Sequence, residues 1–134
     1  FQLHFENFWL DEMNSFWVSD PTLSSDETFI RQKKSDFHNP ILFNLILKEF
    51  LYLTNYEPNT ARFLPFIFGS ITILFFGILS YQVKKGNSFL LTTFLASISI
   101  YIIKYSQEVR PYSLLLMLST INIYLYFFIL NELI

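Results

Sequence analysis

Cysteine is absent from this 134-residue chain, so disulfide bonds and thiolate metal sites are excluded. Glycine is scarce, and the sequence contains no glycine-rich phosphate loop, no HExxH zinc motif and no GxSxG nucleophile motif. The formal net charge is −2, which leaves no basic surface of the kind that binds nucleic acid. The sequence therefore predicts no nucleic-acid partner and no metal site, and it leaves open whether a divalent ion serves as a cofactor.

What the chain does have is apolar and aromatic surface. Seventeen phenylalanines bring the aromatic share to 20%, and the mean hydropathy is +0.37. A soluble domain of this size rarely carries so much of this surface outside its core. The composition therefore predicts an integral membrane protein. Because the chain begins with Phe1 and ends in an apolar run, we expect it to be part of a larger protein.

Three apolar stretches are candidates for membrane spans, at about 62–83, 88–103 and 112–131. The first has a length of roughly 33 Å as a helix, which matches a hydrocarbon core of about 30 Å. The prediction is an all-α fold: a polytopic transmembrane helical bundle with an extracytoplasmic loop that carries juxtamembrane helices.

Residues 1–61 form that predicted loop, with a short helix near 27–34 and a helix that opens at Pro40. The second helix, 41–53, is apolar but too short to span a membrane. We expect it to lie in the membrane interface with its polar side chains toward water. Those side chains are Asn44, Lys48 and Glu49.

The orientation follows from a basic turn at Lys84 and Lys85, which the positive-inside rule places in the cytoplasm. Residues 1–61 and 104–111 are then outside, and the first of these segments has nine acids against four Lys and Arg. The functional side of the membrane protein is therefore predicted to face outward.

A polar stretch, 104–112, stands between two apolar runs. Chains that keep Gln, Glu and Arg in such a place usually use them for ions, head groups or substrates. Arg110 suits a planar grip on phosphate. The alternatives are a solvated turn, an ion pair of Arg110 with Glu108 or an Asp, and simple snorkelling for Arg62 and Lys104.

Asp11 and Glu12 form an acidic pair just after the aromatic segment 1–9, which we expect to be the end of a membrane helix that lies mostly upstream. Adjacent helical residues point about 100° apart, so one carboxylate would face a substrate hydroxyl while the other meets a cation. The alternative is a solvated pair at a helix start. Asp36 and His38 flank Phe37, where the carboxylate could orient the imidazole. The alternative there is a cap for the following helix.

Four segments in this order resemble the N-terminal part of GT-C type membrane glycosyltransferases, most closely the group of protein O-mannosyltransferases and the lipid A aminoarabinose transferase. The segments are LDE (10–12), DFHNPIL (36–42), ARFLPFIFG (61–69) and YSQEVRPYSLL (105–115). Asn39 stands in place of the first proline of the usual Pro-Pro. Tyr112 stands where some relatives have an Asp, so the second acidic role would fall to Glu108.

The resemblance implies a protein of the bacterial cytoplasmic membrane that transfers a sugar from a polyprenyl-phosphate donor to a lipid, glycan or protein acceptor outside that membrane. It implies Asp11 as the general base, with Glu12 as its supporting neighbour and Glu108 as a second acid. It implies donor or acceptor binding by Asp36, His38, Arg62, Tyr105, Gln107, Arg110 and Tyr112. The alternative from another class is a non-catalytic multispan protein, a transporter or assembly subunit, whose polar stretch binds a solute or a partner.

Overall fold

The computed structural model describes residues 10–35 and 40–133, and over these residues the regular structure is entirely helical. The helices are α1 (Leu10–Val18), α2 (Ser25–Lys34), α3 (Ile41–Leu53), α4 (Pro58–Ala61), α5 (Phe63–Val83), α6 (Ser88–Ser97), α7 (Ile100–Tyr105) and α8 (Tyr112–Leu133). The chain divides into two compact units. Unit 1 comprises Phe1–Pro65 and Gln107–Pro111, and unit 2 comprises Phe66–Ser106 and Tyr112–Ile134. The all-α prediction is confirmed for the described residues.

Unit 1 is organised around one face of α3. Phe43, Leu47 and Leu51 recur every four residues, so they lie on one side of the helix, and all three are fully buried. Val18 at the end of α1 and Ala61 in α4 are buried as well. Burial of a side chain of the size of Leu or Phe stabilises a fold by about 1.5–3 kcal/mol, so this stripe holds the short helices of unit 1 together.

Helix α2 begins at a capping box, close to the short helix predicted near 27–34. The Ser24 hydroxyl accepts from the Glu27 N–H at 3.2 Å, and the Glu27 carboxylate accepts from the Ser24 N–H at 2.7 Å. These bonds satisfy main-chain donors that a helix start leaves without partners. The bond from the Ser24 N–H, and then that from its hydroxyl, hold the pKa of Glu27 below its ordinary value.

The prediction that the polar side chains of α3 all face water is wrong for two of the three. Asn44 and Lys48 are buried, whereas Glu49 is exposed. Lys48 Nζ donates to the Leu23 carbonyl at 2.6 Å and lies 3.4 Å from the Thr28 hydroxyl. Buried polar groups need such partners, and the loop before α2 together with α2 itself supplies them.

In the part of the chain that the structure describes, two helices are long and apolar enough to cross a membrane. They are Pro58–Val83, which joins α4 to α5, and Tyr112–Leu130 in α8. Only 33% of the apolar window of the first and 17% of that of the second is buried within the chain. The first and third predicted spans therefore form helices of the expected length and composition.

The predicted helix at 88–103 is interrupted, because α6 ends at Ser97 and α7 begins at Ile100. The Ser97 hydroxyl donates to the Phe94 carbonyl at 2.7 Å, and Ser99 has an extended backbone with ψ of 117°. Serine side chains compete with the main chain for helical hydrogen bonds. Two serines around Ile98 thus end one helix, and the Ser99 carbonyl accepts the first bond of the next from Ile103 at 3.0 Å.

Two glycines of α5 stand in close contact with neighbouring segments of unit 2. A Cβ added to Gly69 would stand 2.8 Å from the Ser106 Cβ, and one added to Gly77 would stand 2.9 Å from the Phe89 ring. Both distances are shorter than real Cβ contacts allow. Small residues at helix interfaces let backbones approach closely, as in membrane bundles.

Candidate functional site

A buried ion pair lies at the centre of the candidate site, and we call Glu12 and Arg62 the inner pair. Arg62 Nη2 donates to Glu12 Oε2 at 3.0 Å, and Arg62 Nε donates to Oε1 at 3.3 Å. The Glu12 side chain is 1% exposed and that of Arg62 is 8% exposed. The Val109 N–H also donates to Glu12 Oε1, at 2.8 Å. One carboxylate thereby joins α1, the residue before α5 and the 107–111 segment, all within unit 1.

A second set of charges surrounds Asp11, and we call Asp11, Glu108 and Arg110 the outer triad. Arg110 Nη2 donates to Asp11 Oδ2, and Arg110 Nε lies 3.8 Å from Glu108 Oε2. These side chains are partly open to solvent, with exposed fractions of 30% for Asp11, 22% for Arg110 and 19% for Glu108. The triad is therefore within reach of a ligand, unlike the inner pair.

The first turn of α1 explains why neighbouring acids belong to different sets. Acids are favoured at a helix start by the helix dipole, and successive residues point about 100° apart. Glu12 accordingly faces the interior of unit 1. Asp11 faces the partly exposed edge of the site, which we call the rim. The prediction that the two acids do different work fits this geometry, although each of them meets an arginine.

The 107–111 segment holds the triad's other two members side by side. The Arg110 N–H donates to the Glu108 carbonyl at 2.8 Å, which makes a tight turn. Val109, between them, is fully buried and bonded to Glu12. Because the middle residue is anchored inside, Glu108 and Arg110 are left at the rim with Asp11.

The arrangement combines two chemical capacities. The guanidinium of Arg110 presents several N–H donors that suit the oxygens of a phosphate. The carboxylates of Asp11 and Glu108 are acceptors that could take a proton from a hydroxyl. Two carboxylates and one guanidinium give the triad a net charge of −1 when ionised.

The other predicted site residues lie in different parts of the chain. Gln107 lies half-buried in unit 1. Tyr105 and Tyr112 belong to unit 2, where their ring centroids lie 5.0 Å apart with the ring planes inclined at 55°. Asp36 and His38 lie outside the described residues, so their predicted role stays a prediction.

Sequence reasoning missed the contribution of Val109. Its functional group is a main-chain N–H, which every residue except proline has, so no side-chain pattern could have marked it. The burial of Arg62 was missed as well. Its guanidinium is engaged by Glu12, so in this structure Arg62 holds Glu12 in place and is not open at the surface as a phosphate ligand would be.

A separate charged cluster in unit 1 lies between α1 and α2. The Arg31 guanidinium carbon lies 4.7 Å above the Trp17 ring, and Arg31 Nη1 donates to the Trp17 carbonyl at 2.8 Å and lies 3.7 Å from Asp20 Oδ2. Burial acts to raise the pKa of Asp20. The hydrogen bonds from Thr22 and the charge of Arg31 outweigh burial, so the pKa is lowered. This cluster fixes the end of α1.

Within residues 10–35 and 40–133, no three His, Asp or Glu side chains stand together as a metal site would require.

No family model, no curated protein and no solved structure matches this chain. The functional conclusion therefore depends on the geometry of the inner pair and the outer triad.

Proposed function

We propose that this chain is part of a membrane glycosyltransferase. The enzyme would move a sugar from a polyprenyl-phosphate donor to an acceptor on the extracytoplasmic side. The observation that carries this proposal is the outer triad, where a partly exposed carboxylate, Asp11, is held against a partly exposed guanidinium, Arg110. Transfer from a lipid phosphate to a hydroxyl needs a base for the acceptor and a cation for the leaving phosphate.

Asp11 is the proposed base. Its side chain is short, and α1 fixes its backbone, so the carboxylate can be held along the line on which the acceptor proton leaves. Glu108 is the proposed second acid at the rim, near enough to Arg110 to orient it. Arg110 is the proposed phosphate ligand, because its guanidinium is partly exposed while that of Arg62 is not.

The inner pair has a positioning role in this proposal. Glu12 receives bonds from Arg62 and from the Val109 N–H, and so ties α1 to the segment that carries Glu108 and Arg110. A displacement of about 1 Å in a catalytic group can cost on the order of 10²-fold in rate. Holding the two segments from inside therefore supports catalysis at the rim.

The membrane setting of the proposal is supported by the apolar helices. A core helix of a soluble protein would be mostly buried, whereas most of both apolar windows is not buried within the chain. The 107–111 segment leads directly into α8, and Arg62 directly precedes α5. Two members of the triad, Glu108 and Arg110, thus belong to a chain segment that adjoins a candidate span, which suits chemistry on a lipid-bound donor.

The outward orientation is part of the same proposal and rests on Lys84 and Lys85. In otherwise cysteine-free protein, a membrane-impermeant maleimide added outside the cells should label Ser24→Cys and leave Asn87→Cys unlabelled. The reverse pattern would place unit 1 in the cytoplasm.

One observation favours the transport alternative. The interruption between α6 and α7 is the kind of broken helix that lines substrate sites in many transporters. The interruption contains Ile98 and serines but no charged residue. Ionisable groups that mark transport pathways lie within spans, whereas the outer triad lies on α1 and the 107–111 segment, outside both candidate spans. The transferase is therefore the better supported of the two.

The test of the transferase is Asp11→Asn in the full-length protein, assayed with a panel of polyprenyl-phosphate sugars. Loss of a general base costs about 10²–10⁴-fold in rate, and asparagine keeps the shape of the side chain. Asp26→Asn is the matched control, because Asp26 is an exposed acid of α2 outside the triad, and its turnover should equal that of the wild type. Full turnover by Asp11→Asn, with loss in Glu108→Gln, would move the role of base to Glu108. Solute flux without any sugar transfer would favour the transporter.

A further inference from the structure

Arg110, the proposed phosphate ligand of the outer triad, already binds an anionic side chain of the same protein. Arg110 donates to the Asp11 carboxylate, so the proposed base and the proposed phosphate ligand neutralise each other. We propose that the phosphate of a lipid-phosphate ligand binds Arg110 by displacing Asp11, and that Asp11 becomes available as a base only in the ligand-bound state. This inference rests on the proposed function and adds an order of events to it.

The exchange is chemically matched. A guanidinium presents its N–H donors in a fixed fork that fits the oxygens of a carboxylate and those of a phosphate equally well in shape. Phosphate oxygens can therefore take over the donors that Asp11 now occupies. No covalent bond changes, and the guanidinium remains charged throughout.

Exposure explains why the exchange involves Arg110 and not Arg62. A partly exposed ion pair contributes little net free energy, since water solvates its members when they separate. A buried pair loses far more, because separation leaves an uncompensated charge inside the protein. The Arg110–Asp11 pair is partly exposed, and the inner pair is nearly closed to solvent. Only the outer pair can open at small cost.

Glu108 supplies the third element of the exchange. Its carboxylate lies 3.8 Å from Arg110 Nε, whereas Asp11 is bonded through Nη2. A phosphate that replaces Asp11 at Nη2 leaves the side of the guanidinium near Glu108 in place. Arg110 therefore keeps its orientation while its partner changes.

An order of binding follows from this geometry. The donor, a phosphate diester, binds first and releases Asp11, and the acceptor hydroxyl then meets a carboxylate without its arginine. After transfer the lipid phosphate is a monoester, with a charge of about −1.5 to −2 near pH 7. It should hold Arg110 more strongly than the donor does. Asp11 stays displaced until that product leaves.

The experiment measures binding of anions to the full-length protein in nanodiscs of zwitterionic lipid, by calorimetry. Farnesyl phosphate is the lipid-linked probe and inorganic phosphate is the free one, so the two arms distinguish the source of the phosphate. The wild type is compared with Asp11→Asn, Arg110→Gln and the double variant. Asp26→Asn controls for a change of net charge by one unit at an exposed position.

Removal of the internal competitor should tighten binding of at least one probe in Asp11→Asn by roughly two- to fivefold, the range expected for a partly exposed ion pair. Arg110→Gln should weaken binding by about tenfold or more. In the Arg110→Gln background the Asp11→Asn change should have no effect, because the two side chains compete through one contact.

Several results would overturn the exchange. Unchanged or weaker binding in Asp11→Asn would mean that Asp11 only supports Arg110. A gain that persists without Arg110, or that appears equally in Asp26→Asn, would mean general charge repulsion. No binding of either probe by the wild type would reject an anion site at Arg110. If Asp11→Asn tightens binding through Arg110 but the wild type transfers no sugar, the exchange stands and the transferase fails. If sugar is transferred without that tightening, the exchange alone fails.

Discussion

The buried charged groups of unit 1 find their partners across the fold, whereas several buried hydroxyls of unit 2 find theirs within the same helix. In unit 1, Glu12 bonds to Arg62 and Lys48 bonds to the loop before α2. In unit 2, the hydroxyls of Thr72 and Thr120 each donate to the carbonyl four residues before them, both at 2.8 Å. Each pattern satisfies the need of a buried polar group for a partner.

The difference shows what fixes each arrangement. A charge taken out of water requires a specific partner from another element, so the charges of unit 1 determine which segments must meet. A hydroxyl that is satisfied locally makes no such demand, so size governs the contacts between the helices of unit 2. The glycines at 69 and 77 mark where this matters most. In unit 1, charge pairing therefore adds specificity to the apolar core, whereas close packing specifies the contacts of unit 2.

The largest effect is expected for Glu12→Gln, which tests whether charge pairing stabilises unit 1. The variant removes the carboxylate charge that Arg62 binds inside the protein, and breaking a buried ion pair in this way should lower the free energy of unfolding by about 3–5 kcal/mol. Glu49→Gln is the matched control, because Glu49 is an exposed acid of α3. Denaturant unfolding in detergent measures both. Equal stability of the two variants would mean that the inner pair does not hold unit 1 together.

Gly69→Ala tests whether close packing specifies the contacts of unit 2. The new methyl group would stand too close to the Cβ of Ser106, 2.8 Å away, and overpacking of this kind costs about 1–3 kcal/mol. The double variant Gly69→Ala/Ser106→Gly removes the Ser106 side chain that the new methyl group would meet, and it should recover most of the loss. Thermal unfolding of the two variants and of Ser106→Gly alone checks this. A double variant no more stable than Gly69→Ala would show that the approach is not limited by size.

The smallest change in stability is expected at the capping box of α2, where the Glu27 carboxylate binds a residue only three positions away. Ser24→Ala removes the N-cap and should cost about 0.5–2 kcal/mol. Because the folded pKa of Glu27 is lowered, its contribution is present above the ordinary pKa and is lost as the pH falls through the lowered one. Amide exchange protection of α2 in the wild type should therefore fall as the pH is lowered below the ordinary pKa of Glu27. Glu27→Gln should show no such fall, and a parallel fall in that variant would assign the effect to another group.

The sequence allowed α5 and α8 to be predicted, because an apolar run of sufficient length has few alternatives to a membrane-length helix. It also indicated that Asp11 and Glu12 diverge, since helical geometry alone demands it. It could not show that Ser97 and Ser99 interrupt the second run, because serine in an apolar stretch is a weak local signal. Nor could it select Arg62 for Glu12 and Arg110 for Asp11, since pairing across the fold depends on distances that no local pattern contains.

The spacing of the site residues along the chain has a consequence for how the protein is made. Glu12 and Arg62 are 50 residues apart, whereas Glu12 and Val109 are 97 apart and Asp11 and Arg110 are 99 apart. Chains are synthesised from the N-terminus at about 5–20 residues per second. The inner pair can form as soon as the start of α5 is available, but the rim has to wait for several more seconds of synthesis. During that interval Asp11 is without the arginine that holds it in the finished protein, so the outer triad is completed only after the helices between its two halves have been made.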